Sequence, residues 1–318
     1  MFRSNKRRYR SYTVDNSRVL SERTPKHMMK KQNNPKESFG FVKNYVEPVV
    51  HHGAYMVMQK REPHIITGAD TYQGKRIDQQ DAFYVTKSVE LSPFRLRRTF
   101  AVVCDGMGGL EAGDRASITA VEMMKFAFCR LPSKRVDIPH FFHDMLENID
   151  WEINHWTDLL TNKGSGTTLV SVIIENRRLY WASVGDSTIF IVQDGEIKRI
   201  TREHNYRMCL NELVSDGTIT RQQADAEPQQ EALVSYLGMG GIAYMDIPSK
   251  PYVMKKGDML LLCTDGITNT LTDEEILEIV NENIDDVYGC CKVITRSVEE
   301  KGREVQDNAT VVMIQYVE

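Results

Sequence analysis

The sequence predicts an α+β fold in which a central β-sandwich of antiparallel sheets is flanked by helices. Three observations point there: short apolar runs read as strands, those strands come in sequence-adjacent groups, and segments with helical spacing separate the groups without strict β-α alternation. No internal repeat is visible.

The elements follow in chain order. Residues 1–45 are rich in Arg, Lys, Ser, Asn and Gln, with few aliphatics and no helical or strand period, and predict a basic, flexible N-terminal extension. Met1 to Lys36 carries eleven Lys/Arg against two acids, a balance of +9, leaving 29 basic and 42 acidic groups, or −13, for the rest. A basic tail of this kind can touch anionic lipid, nucleic acid or the protein's own acidic body, but a solvated extension without a partner is the simpler expectation. Residues 46–318 are expected to form a single domain. Its first apolar clusters, around Val46, Val49-Val50 and Tyr55 to Met58, suggest a pairing strand or a docked arm.

Strands are expected at 64–69, 82–86 and 99–104, followed by helices at 111–130 and 138–161. Asp114 is a candidate cap for the first helix, whose apolar stripe is Ala116, Ile118, Val121, Met124 and Ala127. Strands at 167–174, 178–184 and 188–193, with turn signals at Glu175-Asn176 and Asp194-Gly195, predict an antiparallel meander over 167–200. The polar stretch 205–241, helical in flavour at 212–214 and 221–224, reads as a flap inserted beside the site. Strands at 252–254 and 258–263 precede helices at 272–282 and 285–301, and a strand at 309–317 closes the chain. Thr272 and Glu275 form a capping box for the first of these helices.

With 41% apolar and 26% charged residues, the 318-residue chain has the composition of a soluble globular protein. No apolar stretch approaches the roughly 18 residues that a membrane span needs. The basic start lacks the apolar segment of a secretory signal, so the cytoplasm is the expected location. Six cysteines, at 104, 129, 209, 263, 290 and 291, show no CxxC spacing and read as reduced core thiols.

The informative chemistry is acidic. Asp105, Asp186 and Asp265 each follow an apolar run, and Asp307 immediately precedes one. In an antiparallel sheet the end of one strand lies beside the start of its neighbour, so all four can share one sheet edge. Crowded carboxylates repel and raise one another's pKa, a cost that hard divalent cations remove. A Mg²⁺ or Mn²⁺ site at the end of a sheet is therefore expected.

Six short motifs follow in order: Gly74-Lys-Arg-Ile-Asp-Gln-Gln-Asp81, Asp105-Gly-Met-Gly-Gly109, Gly164-Ser-Gly-Thr-Thr168, Val184-Gly-Asp-Ser187, Thr264-Asp-Gly-Ile267 and Gln306-Asp-Asn308. The set resembles the metal-dependent protein phosphatases of type 2C, particularly their bacterial branch, over roughly residues 60–318. The resemblance implies a hydrolase that removes phosphate from phosphoserine and phosphothreonine in proteins by direct attack of a metal-bridging hydroxide, without a phospho-enzyme. It implies that Asp105 bridges two metals, that the Gly106 carbonyl binds the second, and that Asp265 and Asp307 complete the first. Asp186 with Asp265 would form a third, looser site. Asp81 would hold metal-bound water, and Arg76 would grip the substrate phosphate with its fork of donors. The implied catalytic set is thus Arg76, Asp81 and Asp105, the cofactors are two or three Mn²⁺ or Mg²⁺ ions, and the partners are phosphorylated proteins and a cognate Ser/Thr kinase. No specific nucleic-acid partner is expected, and the protein is expected to be a monomer in bacterial signalling.

Two positions depart from the family pattern. Gln80 stands where many members carry a glutamate, which should weaken the second metal rather than abolish it. Met107 stands where some eukaryotic members carry a histidine proposed as general acid, which leaves water to protonate the leaving oxygen. Because of Gln80, the alternative reading is a catalytically weak or silent phosphatase-fold protein that binds a phosphoprotein or regulatory partner. A further variant is a switch phosphatase with one regulatory substrate, recognised by the flap.

The remaining features have plainer readings. His140 and His143, like His51-His52, lack a constellation of further ligands and read as solvated or packing residues. Gly164-Ser165-Gly166 is not a nucleophile elbow. Met123, Met124, Met239 and Met245 read as packing residues.

Overall fold

The structure, a computed structural model, describes residues 65–86, 98–108, 112–132, 134–160 and 165–317. The basic extension, the apolar clusters between Phe41 and Glu62, the His51-His52 pair, Gly109 and Gly164 lie outside the described residues.

In chain order the elements begin with β1 (Ile65–Tyr72), β2 (Asp81–Val85), β3 (Arg98–Met107), α1 (Ala112–Cys129) and α2 (Ile138–Leu160). A meander follows: β4 (Gly166–Thr167), β5 (Leu169–Glu175), β6 (Arg178–Val184), β7 (Thr188–Gln193) and β8 (Glu196–Arg199). The segment expected as a flap carries α3 (Tyr206–Ser215) and α4 (Arg221–Asp225). The last elements are β9 (Tyr252–Val253), β10 (Met259–Cys263), α5 (Asp265–Thr268), α6 (Asp273–Glu282), α7 (Val287–Glu300) and β11 (Ala309–Tyr316).

Two antiparallel sheets result, one in the order β1-β11-β10-β7-β8 and the other in the order β2-β3-β5-β6-β9, with β4 paired to β3. The central strands β3, β5, β10 and β11 read as apolar runs because both of their faces are buried. Along β3, Phe100, Val102 and Cys104 pack against Ala116, Ala120, Met124, Phe142 and Leu146 of α1 and α2. The alternate residues Ala101 and Val103 share a core with Leu260, Leu262, Val312 and Ile314 of the other sheet. On β10 and β11 the outward residues Leu261, Cys263, Val311 and Met313 meet Ile276, Val280, Ile294 and Val298 of α6 and α7. The layers are therefore helix, sheet, sheet, helix, as the sequence predicts.

Local signals explain most boundaries. Thr272 accepts from the Glu275 N–H while the Glu275 side chain accepts from the Thr272 N–H, the reciprocal capping box expected at α6. Thr220 and Gln223 form a second box at α4. The β7–β8 turn places Asp194 at φ 52 and Gly195 at φ 80, the left-handed pair that a tight hairpin needs.

Four expectations need correction. Asp114 lies inside the first turn of α1, where its Oδ1 accepts from the Arg115 N–H at 2.6 Å, so it does not cap the helix. Asp105 lies within β3, which runs on to Met107 because Gly106 and Met107 pair with β4. Met239 is 43% exposed rather than packed. The four aspartates do not share one sheet edge: Asp105 belongs to the β2–β3 sheet, and Asp265 and Asp307 flank β10 and β11 of the other.

Candidate metal centre

Register explains how acids far apart in sequence converge. Asp81 and Asp105 are direct cross-strand partners on β2 and β3. In the other sheet Cys263 stands opposite Val311 on one side and Thr188 on the other. Asp265, two residues beyond Cys263, therefore comes beside Asp186, two residues before Thr188, and beside Asp307, two residues before β11. The sheets meet at this end, where Thr264 Oγ1 donates to Asp81 Oδ2 at 2.9 Å and the Gln80 N–H donates to Asn308 Oδ1 at 2.8 Å.

Arg76 reaches the same end on a tight loop. Gly74 holds φ +67, and a Cβ there would run into the Asp307 and Gln306 carbonyls, so only glycine lets the loop lie this close. The Lys75 N–H donates to the Gln306 carbonyl at 2.8 Å, and Gln73 Nε2 donates to the Arg76 and Ile77 carbonyls at 3.0 and 2.7 Å. Arg76 Nη2 then lies 2.5 Å from Asp307 Oδ2, with both side chains partly open to solvent.

The electrostatics record crowding. Burial, with the Asp265 and Asp307 charges adding to it, pushes the Asp81 carboxyl up to about 7 despite hydrogen bonds from Thr310 and Thr264. Burial and then the Asp265 charge push Asp186 up to about 7. Asp105 is held well above the carboxylate range by burial and by the charges of Asp81, Asp265, Asp186 and Asp307. Asp265 is raised by burial and by Asp307, with a hydrogen bond shared with Asp105 pulling the other way.

The residues fit divalent cations. Asp81 Oδ1 and Asp265 Oδ1 are buried without a hydrogen-bond partner, and an anionic oxygen in that position is costly unless a cation meets it. Every donor in the set is oxygen, the choice of Mg²⁺ and Mn²⁺ rather than of softer metals. Among the described residues no three acidic, imidazole or thiol groups already stand as a closed cation cage.

Comparison with known proteins identifies the family. The protein phosphatase 2C family model matches residues 73–301. The chain belongs to the protein phosphatase 2C family. Protein phosphatase PhpP of Streptococcus pneumoniae is 33% identical over 212 residues, covering 66% of this chain and 81% of that protein. The solved structure of the S. agalactiae serine/threonine phosphatase superposes with a TM-score of 0.68 at 26% identity, covering 80% of this chain and 100% of that one. The catalytic domain of the serine/threonine phosphatase PstP, solved with two manganese ions, shares the fold with a TM-score of 0.63 at 23% identity, over 80% of this chain and 99% of that one.

In this type 2C phosphatase the structure brings together Arg76, Asp81, Asp105, Gly106, Asp186, Asp265 and Asp307 at one end of the sandwich. Gln80 does not project as a free amide, since its Nε2 donates to the Gly108 carbonyl at 3.3 Å, while its backbone carbonyl separately accepts from the Gly106 N–H at 3.1 Å and from Ser117 Oγ at 2.6 Å. His140 and His143 are exposed and face Asp144 and Glu147 one turn along α2, away from any acidic cluster of the site.

Sequence reasoning missed the polar residues that hold the acids. Thr168 Oγ1 accepts from the Asp105 N–H at 3.0 Å and pairs with Ser187 Oγ at 2.7 Å. The Asp105 carbonyl accepts from the Thr168 N–H at 2.9 Å and from Thr167 Oγ1 at 2.8 Å. The Thr264 hydroxyl serves both sheets, since it donates to Asp81 and accepts from the Thr310 N–H at 2.9 Å. Their signal was present, because Thr167, Thr168, Ser187 and Thr264 all lie inside the ordered motifs.

Proposed function

We propose that this chain removes phosphate from phosphoserine and phosphothreonine in proteins, with Asp105, Gly106, Asp186, Asp265 and Asp307 holding the divalent cations of the family and Arg76 gripping the phosphate. One observation carries the reading: acids from both sheets meet at one end of the sandwich with unsatisfied buried oxygens, and a partly exposed arginine stands at their rim.

Bound divalent cations supply Lewis acidity there and lower the pKa of water towards neutrality. The protein's own groups do the rest. The planar guanidinium of Arg76 matches two phosphate oxygens, and its partial exposure lets a substrate phosphate compete with Asp307 for it. Asp81, tethered by Thr264, is placed to orient a water by hydrogen bonding. The nearby nucleophile candidates are unsuited to attack. The Thr168 and Ser187 hydroxyls bind each other, and burial holds the Cys104 and Cys263 thiols up in their neutral form. This supports water as the attacking group, the direct hydrolysis without a phospho-enzyme that the family resemblance implies.

Manganese and magnesium both suit an all-oxygen set, and Asp186 beside Asp265 gives room for a third, looser ion. A cognate Ser/Thr kinase, a cytoplasmic location and a monomeric state complete the reading. The phosphatase part of it is supported by the naming of bacterial relatives as protein or serine/threonine phosphatases. The silent-binder alternative rests on Gln80 alone, whose amide donates to the Gly108 carbonyl. Phosphate release from a phosphothreonine peptide at millimolar Mn²⁺ tests the proposal: release that is lost in Asp105→Asn supports it, and no release from the wild type, or full activity in that variant, overturns it.

A further inference from the structure

His204 and Asp246 lie outside the acidic set, yet their geometry ties them to Asp186. The His204 side chain is fully buried, at 0% exposure. Its backbone N–H donates to the Gly185 carbonyl at 2.9 Å, and its Nδ1 accepts from the Gly185 N–H at 3.2 Å. One residue thus grips both backbone polar groups of the residue directly before Asp186. Gly185 holds φ +98 with the Thr168 side chain packed where a Cβ would stand, so this loop has one workable shape.

Because Nδ1 accepts, the ring proton is on Nε2. Nε2 lies 3.5 Å from Asp246 Oδ1 and has no closer partner. Asp246 is itself fixed. Its Oδ2 accepts from the Arg202 N–H at 2.9 Å, its Oδ1 accepts from Arg202 Nε and Nη2 at 3.0 and 2.5 Å, and its backbone pairs with Ser183 on the strand that leads to Gly185. On the other side, the His204 carbonyl accepts from the Val234 N–H at 2.9 Å, and Asn205 caps α3 by accepting from the Met208 N–H. The dipeptide His204-Asn205 therefore joins the Asp186 loop to the 205–241 segment.

We propose that His204 is a positioning residue that fixes the Asp186 loop for cation ligation and couples it to the 205–241 segment, with Asp246 orienting its ring. This rests on the reading of Asp186 as a ligand. Partners one step behind a ligand commonly change metal affinity by about 10–100-fold when removed.

Two near-isosteres separate the ring's two contacts, since the asparagine side-chain oxygen can replace Nδ1 and the glutamine amide can replace Nε2. Mn²⁺ binding followed by calorimetry, with Asp186→Asn as reference, should show a weak phase that Asp186→Asn abolishes. His204→Gln should weaken that phase by about 10–100-fold, and His204→Asn should keep it within about threefold of wild type. Hydrogen exchange at the Gly185 amide in metal-free protein should quicken in His204→Gln and stay protected in His204→Asn. If Asp186→Asn abolishes the weak phase but His204→Gln leaves both the phase and the amide unchanged, or if both His204 variants lose them equally, the inference is wrong. If Asp186→Asn itself changes nothing, the ligand reading fails and the inference falls with it.

Discussion

Asp81→Asn should make the metal-free protein more stable at pH 8 while impairing it as an enzyme. The Asp81 carboxyl titrates at about 7 in the fold against an ordinary 3.8, so the native state binds the proton more tightly than the unfolded chain between those values. With more protons bound in the native state, stability falls as pH rises through that window and is lowest above about 7. Three pH units at 1.36 kcal/mol each give on the order of 4 kcal/mol of strain in the ionised form. Asparagine removes the charge but accepts from Thr264 less strongly, a loss of about 1 kcal/mol. The net gain at pH 8 is about 3 kcal/mol, or roughly 6–12 °C in Tm for a domain of this size. At pH 4, where wild-type Asp81 is protonated, the gain should vanish. Millimolar Mn²⁺ should narrow the gap at pH 8, because it stabilises the wild type more. Thermal melts in EDTA at pH 4, 6 and 8 test this. A wild-type protein whose metal-free stability rises from pH 4 to pH 8, or a variant less stable than wild type at pH 8, would refute the reasoning.

Other substitutions probe separate parts of the account. Arg76→Ala should lower kcat/KM on a phosphothreonine peptide by about 100-fold or more, and Arg76→Lys should recover only part of it because a point charge replaces a fork of donors; steady-state kinetics measures both. Gln80→Glu, which restores a carboxylate beside Gly106 and Gly108, should lower the Mn²⁺ concentration for half-maximal activity by about tenfold in a metal titration. The Arg98–Glu175 pair, at 8% and 2% side-chain exposure, serves stability instead: Glu175→Gln should cost about 3–5 kcal/mol in denaturant unfolding and leave Mn²⁺ affinity unchanged.

The layered fold was legible because burial on both faces of each sheet leaves unbroken apolar runs, as at Phe100 to Cys104 and Leu260 to Cys263. Capping at Thr272 was legible because the box is local. The cap expected of Asp114 failed because α1 begins two residues before it, at Ala112, close to the start at 111 that the helical spacing itself gives. The acids of the site were legible one by one, and the ordered motifs linked them, but their division between two sheets was not, since that depends on the pairing of strands far apart in the chain. Thr264 and His204 were overlooked for the same reason. Thr264 joins Asp81 across 183 positions, and His204 is notable only once its ring is seen buried against Gly185.

The most direct test is anomalous diffraction from crystals of the wild-type protein soaked in Mn²⁺. At least two strong peaks are expected between the sheets at their shared end, within about 2.0–2.6 Å of carboxylate oxygens of Asp105, Asp265 and Asp307 and of the Gly106 carbonyl. Peaks confined to other surfaces, or none at this end under saturating Mn²⁺, would contradict the reading that these residues work by trapping cations.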